Sequence, residues 1–544
     1  MKREDTRRLA VLAAVWAGLF VLVDPRGAFP LNDDFQYAEC ARRLLAGEGL
    51  HLPQWALSWA AAHSALGALM TAPWGASNQA LRFWTLLLGL LGAGGVYGLA
   101  RRWKADPDAA LLAALTAALS PLYAAMSASF HLDVTAAVAA LAALYAFLRG
   151  REASSPAWLA ASSALIAFSG LSRQTGFLCA AGGAAALALD RKLTPRAAAA
   201  LLLPAGLAGA GFAAWVRFVH GPTWAWSSGH FSPQVPSWRR VLRLLNASAQ
   251  TSALCLSPLA AALAADAFKK RPGRGESAAL GLVAAGALAG WYREGGLPLI
   301  QNTLHHTGLG VVTLIGAEAK PAGWWGHPLL WHAAAALALA SSLILIRAAA
   351  RELRGPSGGE LRAAALFVGA PYAAMLAMPV IYDRYLLSIL PAAAAAFAVG
   401  RRAPPLRAWL AAALMGLLTA AGLTDYFAWN RARWAAGMDA VARGVPVERV
   451  ENGFDWDGQF TLTRNLAKLT AALPAERIGA WDWERLNRIV VGTTFAAEPK
   501  LPGWRLVGRY PYRTPLVRGG GEVRLYADPA LLGGLALSVE PVRR

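Results

Sequence analysis

Charge is what this sequence has least of. Asp, Glu, Lys and Arg make up 15% of its 544 residues, against about 25% in an average soluble domain. Apolar residues reach 56% and the mean hydropathy is +0.38. The charges sit in short clusters between long apolar runs, the pattern of membrane spans separated by loops, which excludes an ordinary soluble fold. Cysteine is scarcer still: Cys40, Cys179 and Cys255 lie far apart, two of them in apolar runs, with no C-x-x-C spacing. Neither a disulfide framework nor a zinc knuckle is indicated. Acidic residues are also few, 32 against 52 Lys and Arg, for a net charge of +20. The basic residues form no continuous stripe, which argues against a nucleic-acid partner. They gather beside the ends of apolar segments, as in Arg101-Arg102-Trp103-Lys104, Lys269-Lys270-Arg271 and Arg401-Arg402. Cytoplasmic helix ends carry such groups because positive loops resist translocation, and there they meet anionic lipid headgroups.

What is abundant is apolar sequence. Lys2, Arg3, Arg7 and Arg8 precede the run Leu9–Val23, which is followed by Asp24-Pro25-Arg26-Gly27 instead of a small-residue cleavage site. The run is expected to stay as a first helix. Further apolar segments begin near Leu81, Ala109, Val134, Ala157, Gly176, Ala197, Ser252, Ala278, Pro328, Ala363, Leu386 and Leu406. With roughly 20 residues needed per span, the sequence predicts about thirteen. With the N-terminus inside, every second connection is basic, as the positive-inside rule requires. All nine histidines (His51, His63, His131, His220, His230, His305, His306, His327, His332) then fall on or next to the outer side. The fold class expected is an all-α polytopic membrane protein with a small extracytoplasmic α/β domain. Residues 1–424 form the membrane part. Residues 425–544 are more charged, carry strand-like runs at Arg488–Val491 and Val523–Tyr526, and form the external domain. The stretch 35–45 is expected as an amphipathic helix along the membrane surface, and tryptophans such as Trp55, Trp59, Trp74, Trp324 and Trp325 as an interfacial belt. No internal repeat of fixed period is present.

Several outer-face residues have the chemistry of a site. Asp33 and Asp34 are adjacent carboxylates just beyond the first span, where acids are expensive unless solvated, paired or functional. One of them could act as a general base toward an attacking hydroxyl; the bland alternative is that Asp34 caps the following helix. Asp133 opens a later helix, where N-capping is again the simple reading. Arg173 sits in a very short outer turn, suited to a phosphate by its guanidinium fork or else to a salt bridge with a loop acid. Tyr382-Asp383-Arg384-Tyr385 puts another Arg at the outer face between aromatic hydroxyls, with an internal Asp383–Arg384 pair as the dull alternative. His305-His306 could bind metal or phosphate, although adjacent histidines seldom both ligate one ion. The sequon Asn246-Ala247-Ser248 is too short a match to imply modification.

Together these residues resemble the lipid-dependent glycosyltransferases of the GT-C fold, in particular the family 39-like branch with the protein mannosyltransferases and the aminoarabinose transferase of lipid A. The resemblance is carried by Asp33-Asp34-Phe35-Gln36-Tyr37 continuing to Arg42-Arg43-Leu44-Leu45-Ala46-Gly47. It is carried further by Asp133 after Ser129-Phe130, by Arg384-Tyr385-Leu386-Leu387 with Pro391, and by Asn430 to Trp434 with Asn452-Gly453-Phe454-Asp455-Trp456. It implies a GT-C-like membrane domain and transfer of a sugar from a polyprenyl-phosphate donor to a hydroxyl of a glycan, lipid or protein acceptor. That transfer takes place on the extracytoplasmic side of the inner (plasma) membrane. In that scheme Asp33 or Asp34 is the base, and Asp133, Arg173, Asp383, Arg384, Tyr385, Tyr37, His305 and His306 contact substrate. Family members commonly have Glu where this chain has Asp34, which leaves the choice of base open. No cofactor is implied, and a divalent cation stays open. The competing reading is a transporter or flippase for a lipid-linked or anionic substrate; its charges belong near the bilayer midplane, whereas here they keep to one face.

Overall fold

The computed structural model describes residues 3–229, 235–269, 271–499 and 502–531. His230, Lys270 and the last residues of the expected external domain lie outside that set. Each of the thirteen apolar segments contains a helix. By length and composition six of the described helices can cross a membrane: Arg3–Val23, Asn78–Arg102, Leu132–Ala153, Pro195–His220, Pro328–Glu352 and Leu406–Ala442. Two bent pairs raise the number to eight, and the remaining segments form shorter or less apolar helices. The bends have a sequence cause. Pro107–Ala118 turns by 66° into Pro121–Ser127, and Trp238–Cys255 turns by 88° into Ser257–Ala267. Both breaks fall at a proline, Pro121 and Pro258, whose ring cannot continue the preceding helix. These helices are apolar on the outside as well as the inside. Leu207 is 70% exposed, Phe218 81% and Leu410 60%, which water would penalise and lipid does not. The protein is a multi-pass membrane protein.

The short helix Asp34–Leu45 forms where an amphipathic one is expected, but its apolar side meets protein instead of a lipid surface. Tyr37, Ala38 and Ala41 are buried with Ala60, Ala68, Leu81 and Phe130. The loop ahead of it is pinned by Arg82, which is fully buried in the helix Asn78–Arg102. Its guanidinium donates to the carbonyls of Pro25 at 2.7 Å, Gly27 at 2.9 Å and Phe29 at 2.5 Å. Three charge-assisted bonds to backbone thus fix the approach to Asp33. The tryptophan belt is only partly a belt: Trp74 and Trp324 are exposed, whereas Trp55 and Trp325 are buried inside the protein.

The final long helix, Leu406–Ala442, runs without a break through residue 425, so the change of composition there falls inside a helix and not in a linker. Beyond it a mixed sheet forms from β3 (Val450–Glu451), β4 (Val491–Thr494), β5 (Arg505–Thr514) and β6 (Val517–Ala527), in the order β3-β4-β6-β5. β3 and β4 pair in parallel, and the other pairs are antiparallel. A two-residue hairpin, β1 (Leu304–His305) and β2 (Gly308–Leu309), closes the outer loop before Pro328. Gly310 follows at a φ of +87°, and a Cβ there would overlap the ring of Tyr426, so glycine lets this loop lie flat on the final helix.

Candidate functional site

Four elements converge outside the first helix: the start of Asp34–Leu45, the start of Leu132–Ala153, the turn at Arg173 and the turn Asp383–Ser388. They bring Asp33, His131, Asp133, Arg173 and Arg384 into one cluster. Arg384 donates through Nη2 to Asp33 Oδ2 at 2.9 Å and through Nη1 to Asn302 Oδ1 at 2.6 Å. Its Nε lies 3.5 Å from Asp133 Oδ2. Asp133 accepts from Arg173 through its other oxygen, and its Oδ2 is 2.6 Å from His131 Nδ1. The far side of the same imidazole, Nε2, is 3.6 Å from Asp33. Neither capping reading survives: Asp133 turns to these cations, and Asp34 spends its Oδ1 on the amides of Leu31 and Asn32, ahead of the helix it would cap. For Arg173 the salt bridge to an outer-face acid is present, and for Arg384 the partner is Asp33 and not Asp383.

Aromatic rings frame the cations. The guanidinium of Arg173 lies 3.9 Å from the Tyr385 ring centre and that of Arg384 4.5 Å from Tyr382, both within cation–π range. Tyr37 packs edge-on to His131 at 5.6 Å and to His63 at 5.8 Å. Burial keeps the Tyr37 hydroxyl protonated well above its usual range, which leaves it an O–H donor. Burial alone would raise the Asp33 carboxyl, but the nearby His131 and the charge of Arg384 outweigh it and hold the carboxyl below its usual range. Burial and Arg384 push His131 down, yet Asp133 and Asp33 carry it above its ordinary value. The resting cluster is therefore an ionised acid beside a readily charged imidazole.

Two spaces meet at this cluster. Asp33, Asn302, Tyr382 and Arg384 line a cavity of about 810 Å³ whose far wall comes from the C-terminal region, including Phe454, Asp457, Trp481 and Glu484. Asp133, Arg173 and Tyr385 stand over a narrow crevice of about 30 Å³ floored by Ala136, Ala137, Ala140, Pro371 and Met375. Charge thus stands between a larger cavity of mixed lining and a small apolar slot.

The other expected site residues lie elsewhere. Asp34 is buried, and its Oδ1 accepts from the amides of Leu31 and Asn32, both at 2.8 Å; it shapes the loop that presents Asp33. Asp383 is fully buried and accepts from the amides of Thr303 and Leu304 at 2.9 and 2.6 Å. Burial pushes its carboxyl up to about 6, and its oxygens are taken, so it anchors β1 instead of facing the cavity. His305 spends both nitrogens locally, on Thr307 Oγ1 at 2.8 Å and the Gly310 carbonyl at 2.6 Å, and burial lowers it to about 4. His306 packs against Trp331 at 4.3 Å. Among the described residues no group of His, Cys, Asp or Glu has the geometry to hold a metal ion.

Sequence reasoning missed His131 and Asn302. The signal for His131 was its place two residues before Asp133 in the same outer loop. It also missed two ion pairs that brace the site. Lys320 reaches Asp425 at 2.6 Å with both side chains buried. Arg433 grips Asp455 at 2.8 and 2.7 Å in a two-pronged pair.

The fold and this cluster define a polytopic membrane protein with an ion network against its C-terminal region. Within that class, residues 60–215 match the family model described as dolichyl-phosphate-mannose-protein mannosyltransferase, which bears out the resemblance to family 39-like GT-C glycosyltransferases. No curated protein sequence matches the chain. Among solved structures it is similar to ArnT from Cupriavidus metallidurans bound to undecaprenyl phosphate, at 17% identity over 97% of this chain and 98% of that one, with a TM-score of 0.42. It is also similar to the oligosaccharyltransferase AglB from Archaeoglobus fulgidus in complex with an inhibitory peptide and a dolichol-phosphate, at 13% identity over 91% and 69%, TM-score 0.40. The arabinosyltransferase EmbB from Mycobacterium smegmatis aligns at 15% identity over 78% and 40%, TM-score 0.34.

Proposed function

We propose that the chain is a membrane glycosyltransferase that moves a sugar from a polyprenyl-phosphate donor to a hydroxyl acceptor outside the cytoplasm. The observation that carries the reading is the shared ion cluster of Asp33, Asp133, Arg173 and Arg384 between an apolar slot and a larger cavity of mixed lining. A prenyl chain belongs in apolar surroundings, its phosphate beside guanidinium forks, and its sugar on the wet side. Asp33 is the base: it borders the cavity and is ionised, whereas Asp34 is occupied by backbone amides. It takes the proton of the acceptor hydroxyl as that oxygen attacks the anomeric carbon and the lipid phosphate departs. Arg173 and Arg384, with the O–H groups of Tyr37 and Tyr385 near them, offset the charge that grows on the leaving phosphate, a stabilisation by donors already in place. Asp133 holds the two arginines, and His131 stands between the two aspartates. The accompanying topology has about thirteen spans, counting the shorter helices. The N-terminus is cytoplasmic, and residues 425–544 stand mostly outside the membrane, as the basic inner connections require.

The test is transfer of radiolabelled sugar from polyprenyl phosphate by membranes carrying Asp33→Ala, Asp34→Ala and the double variant. Loss with Asp33→Ala is expected. Full transfer by the double variant would sink the scheme.

A further inference from the structure

Against the helix Asp34–Leu45 lies a second cavity, of about 950 Å³, closed by the segment around Trp224 and by the C-terminal region from Gly458 to Ala475. We propose that this cavity is the acceptor subsite and takes an anionic oligosaccharide; the inference rests on the transferase reading above.

The two cavities share an aromatic wall. Trp55 faces the Asp33 cavity and Trp224 the second one; their rings stack at 5.1 Å and 8°. Phe454 and Phe35 face the two sides in the same way, edge to face at 5.6 Å. Aromatic faces pack against the apolar C–H faces of pyranose rings, so the wall offers a platform to a saccharide. Phe35 is two residues from Asp33 in the chain, so the wall begins beside the base.

The polar lining fits the same ligand. Gln36 gives its Oε1 to the Trp55 amide at 3.0 Å, and its Nε2 is buried with no hydrogen-bond partner among the described residues. The Oε1 of Gln459 is in the same condition. An unpaired buried amide costs about 1–3 kcal/mol. One spare donor and one spare acceptor suit hydroxyl groups, which both accept and donate.

Charge narrows the class. Arg42 and Arg43 divide one carboxylate, Glu39, at 3.2 and 2.9 Å, with Glu48 reaching Arg43 only at 3.8 Å. Arg464 is 3.6 Å from Glu448 and half exposed. Three guanidiniums and one acid stand on the lining itself, while Glu48 and Glu448 pair loosely from outside it, contacts that a carboxylate or phosphate group in the cavity can replace.

The experiment is calorimetric titration of the full-length protein in lipid nanodiscs with two probes, tetragalacturonate and neutral maltotetraose. Tetragalacturonate is expected to bind at least tenfold more tightly, and less so as salt rises. The double variant Arg43→Gln/Arg464→Gln is expected to lose that preference. A control with the distant, exposed Arg191→Gln/Arg196→Gln keeps it. Asp33→Asn is expected to retain binding while losing transfer, so a failure of the base assignment reads differently from a failure of the subsite. Equal affinity for the two probes, no binding of either, or a preference untouched by the double variant overturns the proposal.

Discussion

Two arginine–aspartate contacts in this protein, each with a buried arginine, are built on opposite plans. Arg433 and Asp455 are sealed, with no exposed side-chain surface. The pair is two-pronged, and the spare valences go to the Asn452 carbonyl, Asn430 Oδ1 and the Trp434 indole. Arg384 and Asp33 share a single hydrogen bond, Asp33 keeps 17% of its side chain exposed, and Arg384 divides itself among Asp33, Asp133 and Asn302. The closed pair holds the Asn452–Trp456 turn against the final helix, so the C-terminal region can wall the cavity. The open one has contacts that a phosphate oxygen can replace one at a time. A buried ion pair is weak evidence of stability by itself; how its hydrogen bonds are spent separates a brace from a site.

Breaking each contact tests that contrast. Asp33→Asn is expected to lower transfer about 10²–10⁴-fold, the range for loss of a general base, while the melting temperature barely moves. Asp455→Asn is expected to do the reverse to the fold. It leaves the Arg433 charge buried without its counter-ion, at about 3–5 kcal/mol, visible as a lower thermal midpoint in detergent. Comparable stability loss in both variants would erase the distinction.

A milder pair of changes sharpens it. Asp34→Asn preserves an oxygen for the Leu31 and Asn32 amides and is expected to cost transfer about tenfold or less, on the scale of one weakened hydrogen bond. Arg384→Lys keeps charge but loses the fork that spans Asp33 and Asn302. It is expected to lower transfer about tenfold to a hundredfold, at roughly 1.4 kcal/mol per decade, without shifting the thermal midpoint. If Asp34→Asn proves worse than Asp33→Asn, the two acids exchange roles.

How legible this was in the sequence follows from distance along the chain. Asp33, Asp133, Arg173 and Arg384 each stood out alone, as charges at one membrane face. That Arg384 meets Asp33 could not be read, because 351 residues separate them and each motif is too short to specify a partner. Asp34 and Asp383 looked as functional as their neighbours because a carboxylate that binds backbone amides and one that meets substrate are the same letter. The helices were plain from apolar runs, and the strands at Val491 and Leu525 from β-rich runs. The division placed at residue 425 falls inside the helix Leu406–Ala442, because composition can change along a helix without breaking its backbone.

The smallest expected effect comes from the cavity's far wall, where the electrostatics reverse. Asp33 is held down by cations, whereas burial pushes the Glu484 carboxyl up to about 7. Burial and the charges of Glu451, Glu484 and Asp455 push Asp457 well above its usual range. For Glu484 the folded protein binds the proton more tightly than the unfolded chain, whose ordinary value is 4.5. Its contribution to stability is therefore fully present below pH 4.5 and is lost as pH rises through about 7. Glu484→Gln removes that dependence. Between pH 5 and 8 the wild type should lose thermal stability relative to this variant by on the order of 2 °C, since residual solvent around the carboxyl screens the penalty. The same scan on Asp33→Asn should show no such divergence over this interval, because a carboxyl held below its usual range is already ionised throughout. Parallel curves for wild type and Glu484→Gln would mean that the far wall is wetter than its packing indicates, and the opposition between the two faces of the cavity would lose its electrostatic half.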